Sequence, residues 1–302
     1  MSGLPGEVVS EMRSVVESSG GFLAALDQSG GSSPTALRNY GVDPVPESDD
    51  EMFDLIHEMR SRIMTSSSFS SEQLAGAILF EGTVRREVAG RPTPEFLWQE
   101  KHIVPFMKVD KGLADEESGV QLMKPITDLD EQLTLANERG VYGTKMRSVI
   151  KEPVGTGVAD NVAQQFEIGM QILDRGLMPI IEPEVSINSE GKDVAEGQLF
   201  DACMEHLGST VPDGSEVMLK LTLPTTDGRY RALVEHPKVL KVVALSGGYA
   251  IDQACDLLGR NPGVVASFSR ALLDGLLVTM SDDEFDRHLG DVISTIHGAA
   301  VA

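Results

Sequence analysis

Eight short apolar runs recur along this chain, each followed by a loop or a segment of helical character. They occupy residues 21–27, 77–81, 102–110, 143–150, 178–184, 216–224, 241–248 and 263–270. Apolar runs of this length, bounded by glycine, proline or charge, suit strands that are covered on both faces, as in a parallel sheet. Between them the apolar residues fall at helical spacing. This is clearest over 4–18, 52–64, 128–139, 161–175 and 194–207, while 28–34 and 43–48 carry the Gly, Ser and Pro of loops. Repeated strand–helix units of this number predict an α/β chain folded as a (β/α)8 TIM barrel, one domain over 1–302, with an extra helix before the first strand. A doubly wound open sheet is the second architecture, but no Gly-x-Gly-x-x-Gly follows the first run.

In such a barrel the C-terminal ends of the strands open on one mouth, and chemistry gathers there. The residues at those ends are Asp27, Glu81, Lys108 with Asp110, Lys145 with Arg147, Glu182 with Glu184, Lys220, Ser246-Gly247-Gly248, and Arg270. The chain has ten lysines, none before Lys101, so three of them at one mouth is informative. Lys220 lies inside the run Val217-Met218-Leu219-Lys220-Leu221-Thr222-Leu223, where a lysine needs a reason. A buried ion pair and a side chain snorkelling to the rim are the structural explanations. The chemical one is an amine kept partly neutral by burial and by Lys108, Lys145 and Arg147, able to attack a ketone and form an imine.

The other strand ends supply what imine chemistry needs. Glu182, one strand away, is the candidate proton shuttle, and Asp27 the candidate base for a hydroxyl on the far carbon. Ser246-Gly247-Gly248 after the seventh strand and Arg270 after the eighth suit a phosphate, through backbone N–H groups and a guanidinium. Lys108 and Arg147 either hold a second anion or neutralise nearby carboxylates.

Acidic residues outnumber basic ones 47 to 25, a formal charge of −22. No basic face is available for nucleic acid or an anionic membrane. Cys203 and Cys255 form no disulfide framework, no apolar run approaches a membrane span, and no leader pattern precedes the first helix, so a cytoplasmic location is expected. None of His57, His102, His206, His236, His288 and His297 ends a predicted strand, so no metal is expected.

With these residues together, the chain resembles the class I (Schiff-base) fructose-1,6-bisphosphate aldolases over roughly 21–276. The shared motifs are Leu23-Ala24-Ala25-Leu26-Asp27, Lys108-Val109-Asp110-Lys111-Gly112, Lys145-Met146-Arg147-Ser148-Val149, Ile181-Glu182-Pro183-Glu184, Met218-Leu219-Lys220, Leu245-Ser246-Gly247-Gly248 and Phe268-Ser269-Arg270-Ala271-Leu272. The resemblance implies a barrel that reversibly cleaves fructose 1,6-bisphosphate to dihydroxyacetone phosphate and glyceraldehyde 3-phosphate without metal or organic cofactor. It places the Schiff-base lysine at Lys220, the acid/base glutamate at Glu182 and a second glutamate at Glu184. Asp27 matches the family's aspartate and Lys145 its charge-stabilising lysine. Phosphate and substrate contacts would fall on Ser32, Lys108, Arg147, Ser246, Gly247 and Arg270, beside Gly248. A homo-oligomer is expected, with a phosphorylated sugar as the bound partner.

Gln28 stands where many members have Glu, Ser269 where many have Gly, and Leu221-Thr222-Leu223-Pro224 departs from the usual continuation after the lysine. Without the long tail and terminal tyrosine of animal-type members, the sequence is more similar to the shorter bacterial branch. Two other functions fit fewer of these residues: a Schiff-base aldolase or transaldolase for another phosphosugar, and a non-catalytic ligand-binding barrel.

Overall fold

The computed structural model describes residues 4–18 and 20–301. Eight strands run parallel in chain order: β1 (Phe22–Leu26), β2 (Leu74–Leu79), β3 (Val104–Lys108), β4 (Gly143–Ile150), β5 (Met178–Val185), β6 (Val217–Thr222), β7 (Val239–Leu245) and β8 (Val264–Ala266). Each pairs with the next, and β8 packs back against β1, so the sheet curls into a nearly closed barrel. The eight expected runs are these eight strands.

Alternation along each strand sorts the side chains into two cores. Leu23, Val104, Phe106, Ile180, Met218, Val243 and Val265 pack inside the barrel with Met12 and Val16 of the helix Gly6–Ser18. That helix closes the N-terminal end. Its Arg13 fixes it there, donating from Nε and Nη2 to the two carboxylate oxygens of Glu216, both at 2.8 Å, just before β6. The outer face of the sheet buries residues such as Leu219 and Leu221 against the surrounding helices. Among the described residues, no helix is long and apolar enough to cross a membrane.

Several boundaries differ from the sequence expectation. β2 begins at Leu74, three residues before the expected run, because Leu74-Ala75-Gly76 also lies in the sheet. Gly76 belongs there for lack of room: a Cβ would sit 2.9 Å from both the Phe106 ring and the Val104 carbonyl oxygen. His102, expected in a strand, instead caps the helix Thr93–Lys101 with a left-handed φ of 52°. The expected loop 28–34 ends early, since Ser33 and Pro34 open the helix Ser33–Asn39, and proline costs nothing in a first helical turn. The helix expected from 52 starts at Asp49, where Ser48 Oγ accepts from the Glu51 N–H and three acids meet the helix dipole.

Candidate active site

The strand periodicity that buries Ile180 and Met218 at the floor of the barrel sends Glu182, Glu184 and Lys220 up into its mouth. There a cavity of about 1040 Å³ opens, lined by Asp27, Lys108, Lys145, Arg147, Glu182, Glu184 and Lys220, and also by Ser32, Ser246, Gly247 and Arg270. Eleven of the twelve residues expected at the site therefore share one space. Gly248 lies just behind it; a Cβ there would come 3.3 Å from the Arg270 guanidinium. Glu81, counted among the strand ends, does not line the cavity. It opens the helical turn Glu81–Val84 beyond β2 and is held by Arg85 at 2.7 Å and Lys111 at 3.6 Å.

At the centre Lys145 Nζ lies between two carboxylates, 2.9 Å from Asp27 Oδ2 and 2.6 Å from Glu182 Oε2. The other oxygen of Glu182 is 3.4 Å from Lys220 Nζ. Lys145, Glu182 and Lys220 are each only 3% exposed, so solvent screens these charges little. Burial alone would raise the Asp27 carboxyl, but Lys145 and Lys220 outweigh it and hold it well below the ordinary carboxylate range. Burial likewise works to lower the Lys145 ammonium, and Asp27 and Glu182 override it, keeping it charged far into alkaline pH.

The other two cations on this side are also held. Lys108 Nζ sits 2.8 Å from Asp110 Oδ1, and Asp110 Oδ2 accepts from the Arg147 N–H at 3.2 Å. Arg147 Nε donates to Glu184 Oε2 at 2.6 Å, which leaves the terminal amino groups of the guanidinium for another anion. Arg270 differs. Among the described residues lining the cavity it is the one cation with no carboxylate within 4.0 Å. Beside it Gly247 and Gly248 take positive φ, 61° and 118°, and Ile187 fills the space that a Gly247 side chain would need, 2.7 Å from a Cβ. The glycine pair thus presents bare backbone next to an unpaired guanidinium.

Three groups escaped the sequence reading. Ser267, at the end of β8, lines the cavity with a buried Oγ that has no hydrogen-bond partner; its interior register in the eighth run was the available signal. Arg60 is 1% exposed and donates to Thr83 Oγ1 at 2.7 Å and to the Gln28 carbonyl oxygen. Burial pulls its guanidinium down to about 10, against the opposing pull of Asp27. Its place four residues after Ile56 and three before Ile63 puts it on the buried face of the helix Asp49–Thr65, the signal that was available. Gln165, on the helix Gly157–Asp174, bonds the backbone of Glu182 from outside the barrel.

An amine beside a carboxylate, a second amine fixed as a cation, and an unpaired guanidinium at a glycine turn can together capture a phosphorylated ketone. A family model for class-I fructose-bisphosphate aldolase matches residues 7–204. A protein of Synechocystis sp. named fructose-bisphosphate aldolase class 1 is 53% identical over 282 residues, covering 93% of this chain and 94% of that protein. One of the same name from Porphyromonas gingivalis is 51% identical over 282 residues, covering 93% and 95%. A solved structure of the Plasmodium falciparum fructose-bisphosphate aldolase, in complex with TRAP and a small-molecule inhibitor, aligns with a TM-score of 0.74 at 20% identity, covering 99% of this chain and 97% of that one. At that identity the likeness concerns the fold alone. The chain belongs to the class-I fructose-bisphosphate aldolase family.

Proposed function

We propose that this chain is one catalytic barrel that reversibly cleaves fructose 1,6-bisphosphate to dihydroxyacetone phosphate and glyceraldehyde 3-phosphate, with Lys220 as the covalent residue. The observation that carries the assignment is the unequal hold on the two buried lysines. Lys145 has carboxylate oxygens at 2.9 and 2.6 Å, whereas Lys220 has one at 3.4 Å. Lys145 is a fixed cation; Lys220 is the amine free to react.

In this reading the Lys220 amine adds to the substrate ketone, and Glu182 delivers the proton with which the carbinolamine oxygen leaves as water. The resulting iminium takes up the electron pair of the neighbouring C–C bond as a base removes the proton from the hydroxyl beyond it. Asp27 is that base. Its pairing with Lys145 also makes it a weaker base, so the contact must loosen as the hydroxyl binds. Glyceraldehyde 3-phosphate departs, and the enamine is protonated and hydrolysed to release dihydroxyacetone phosphate. One phosphate lies on Ser246, Gly247 and Arg270; the other lies toward Ser32, Lys108 and Arg147.

Arg270 gives the first test. Its planar fork suits a phosphate, and no internal pair competes for it. Arg270→Ala should raise KM for the bisphosphate about 10- to 100-fold. Turnover of a substrate analogue lacking that phosphate should change much less, and equal losses on both would make Arg270 structural. Activity on a monophosphate with none on the bisphosphate would favour a different phosphosugar.

A second expected outcome is insensitivity to chelators. The electron sink here is an iminium, which needs no metal to stabilise the carbanion. Prolonged EDTA treatment should leave kcat unchanged; loss of activity restored by zinc would contradict the mechanism. A cytoplasmic location and self-association belong to the same proposal, the latter measurable by light scattering.

A further inference from the structure

β5 and β6 run in register at Ile180–Met218 and Ile181–Leu219, and no further pair follows. Glu182 and Lys220 are the next residue on each strand, so both reacting side chains spring from the point where the strands part. Beyond such a point the ladder no longer supplies hydrogen-bond partners on that side. Val185 on β5 is served instead by a side chain, Thr222 Oγ1 donating to its carbonyl at 2.7 Å.

Glu182 itself stays in register with Arg147 on β4, and there one side chain from outside the barrel bonds both of its backbone groups. The Glu182 N–H donates to Gln165 Oε1 at 3.2 Å, and Gln165 Nε2 donates to the Glu182 carbonyl at 3.2 Å. The same Nε2 donates to Ser148 Oγ at 2.8 Å, and that hydroxyl donates to Asn161 Oδ1 at 2.7 Å. Ser148, Asn161 and Gln165 are all 0% exposed. Apart from Asn161 and Gln165 the buried face of this helix is apolar, and a fully buried amide is stable there only when its hydrogen bonds are made.

We propose that Gln165 is a positioning residue for catalysis, a clamp that sets how far Glu182 stands above the last strand pair. The Glu182 carboxylate must reach Lys145 at 2.6 Å and Lys220 at 3.4 Å at once. A displacement of about 1 Å at this position would break one contact or the other. Gln165 acts through the Glu182 backbone and touches no substrate. Ser148 accepts the other Nε2 hydrogen, which satisfies the buried amide without touching Glu182.

The inference rests on the proposed aldolase activity, and wild type assayed alongside keeps the two apart. Absence of turnover in wild type would sink the activity reading, whereas wild-type turnover with an unaffected clamp variant would sink only this one. Gln165→Met keeps the length and removes both bonds. With the full chain shown folded by circular dichroism, its kcat should fall about 10- to 100-fold while KM stays within about threefold. The rate of borohydride-trapped adduct formation with dihydroxyacetone phosphate should fall by the same factor, because Glu182 serves imine formation. Ser148→Ala leaves both Glu182 bonds in place and should hold kcat within about twofold. A folded Gln165→Met with wild-type kcat, or equal losses in the two variants, overturns the proposal. Should Gln165→Met fail to fold, Gln165→Glu carries the test. A protonated carboxyl can accept from the Glu182 N–H and donate to its carbonyl, while an ionised one cannot donate. Its kcat relative to wild type should therefore fall as pH rises; a ratio constant with pH overturns the clamp.

Discussion

Lys220→Arg should lose turnover by a factor on the order of 10⁶, the scale seen when an enzyme's nucleophile is removed. The substitution keeps a positive charge, so electrostatic effects on Asp27 and Glu182 are largely preserved. What it removes is an amine that can give up its proton, since a guanidinium stays protonated and cannot attack a carbonyl. Lys220 is the lysine to test because the others are committed. Lys145 is locked between Asp27 and Glu182, and Lys108 lies 2.8 Å from Asp110 with little exposure. A steady-state assay coupling triose phosphate to NADH oxidation reads the loss directly. Turnover by the arginine variant within about a hundredfold of wild type would show that the covalent residue lies elsewhere.

Lys145→Met should damage both activity and stability. Without its ammonium, the buried carboxylates of Asp27 and Glu182 are left to Lys220, 3.4 Å from Glu182. Breaking a buried pair in this way costs about 3–5 kcal/mol. Loss of a preorganised charge at the reacting centre should lower kcat about 10³-fold. The stability loss also has a sign with pH. Asp27 has a folded-state pKa below its unfolded value, so its pairing stabilises the fold fully above roughly pH 4 and progressively less as pH falls through the folded value. Lys145 has a raised folded pKa, so its contribution is complete below roughly pH 10 and is lost only as pH climbs past that raised value. Urea unfolding should therefore show a large gap between wild type and variant at pH 7 that narrows below about pH 4. A gap that widened in acid would mean that Lys145 stabilises through packing and not through charge.

The middle of the barrel was plainly legible in the sequence. The run at 143–150 matches β4 in its bounds, and the runs holding Glu182 and Lys220 are within a few residues of β5 and β6. Strands buried on both faces write themselves as apolar runs, and a charged residue inside one stands out against that background. Less legible was anything that depends on where a backbone turns. Glu81 follows an apolar run as Asp27 does, yet it enters a helical turn and points to Arg85, out of the cavity. The C-terminal helix Asp282–Ala300 passed unrecognised, although Ser281 and Glu284 form a capping box and Phe285, Leu289, Ile293 and Ile296 share its buried face.

Contacts between distant segments were beyond the sequence altogether. Gln28 and Ser269 appeared as two separate departures from the family's pattern. They are partners: Gln28 Nε2 donates to Ser269 Oγ at 2.6 Å, tying the end of β1 to the segment after β8 beside Arg270. With a neutral amide at 28, the buried Arg60 bonds the Gln28 carbonyl and has no carboxylate within 4.0 Å among the described residues. Gln165 was hidden for the same reason. On a helical wheel it is one polar residue among several, and only its bonds to Ser148 and the Glu182 backbone give its amide a purpose.

The central claim, that Lys220 alone carries the covalent intermediate, is tested most directly by trapping. Wild-type protein incubated with dihydroxyacetone phosphate and sodium borohydride should gain one reduced adduct per chain. Peptide mass mapping should place it on Lys220, within the stretch Val217–Thr222 that forms β6. An adduct on Lys145 or Lys108, or no adduct from a protein that cleaves the bisphosphate, would contradict the account.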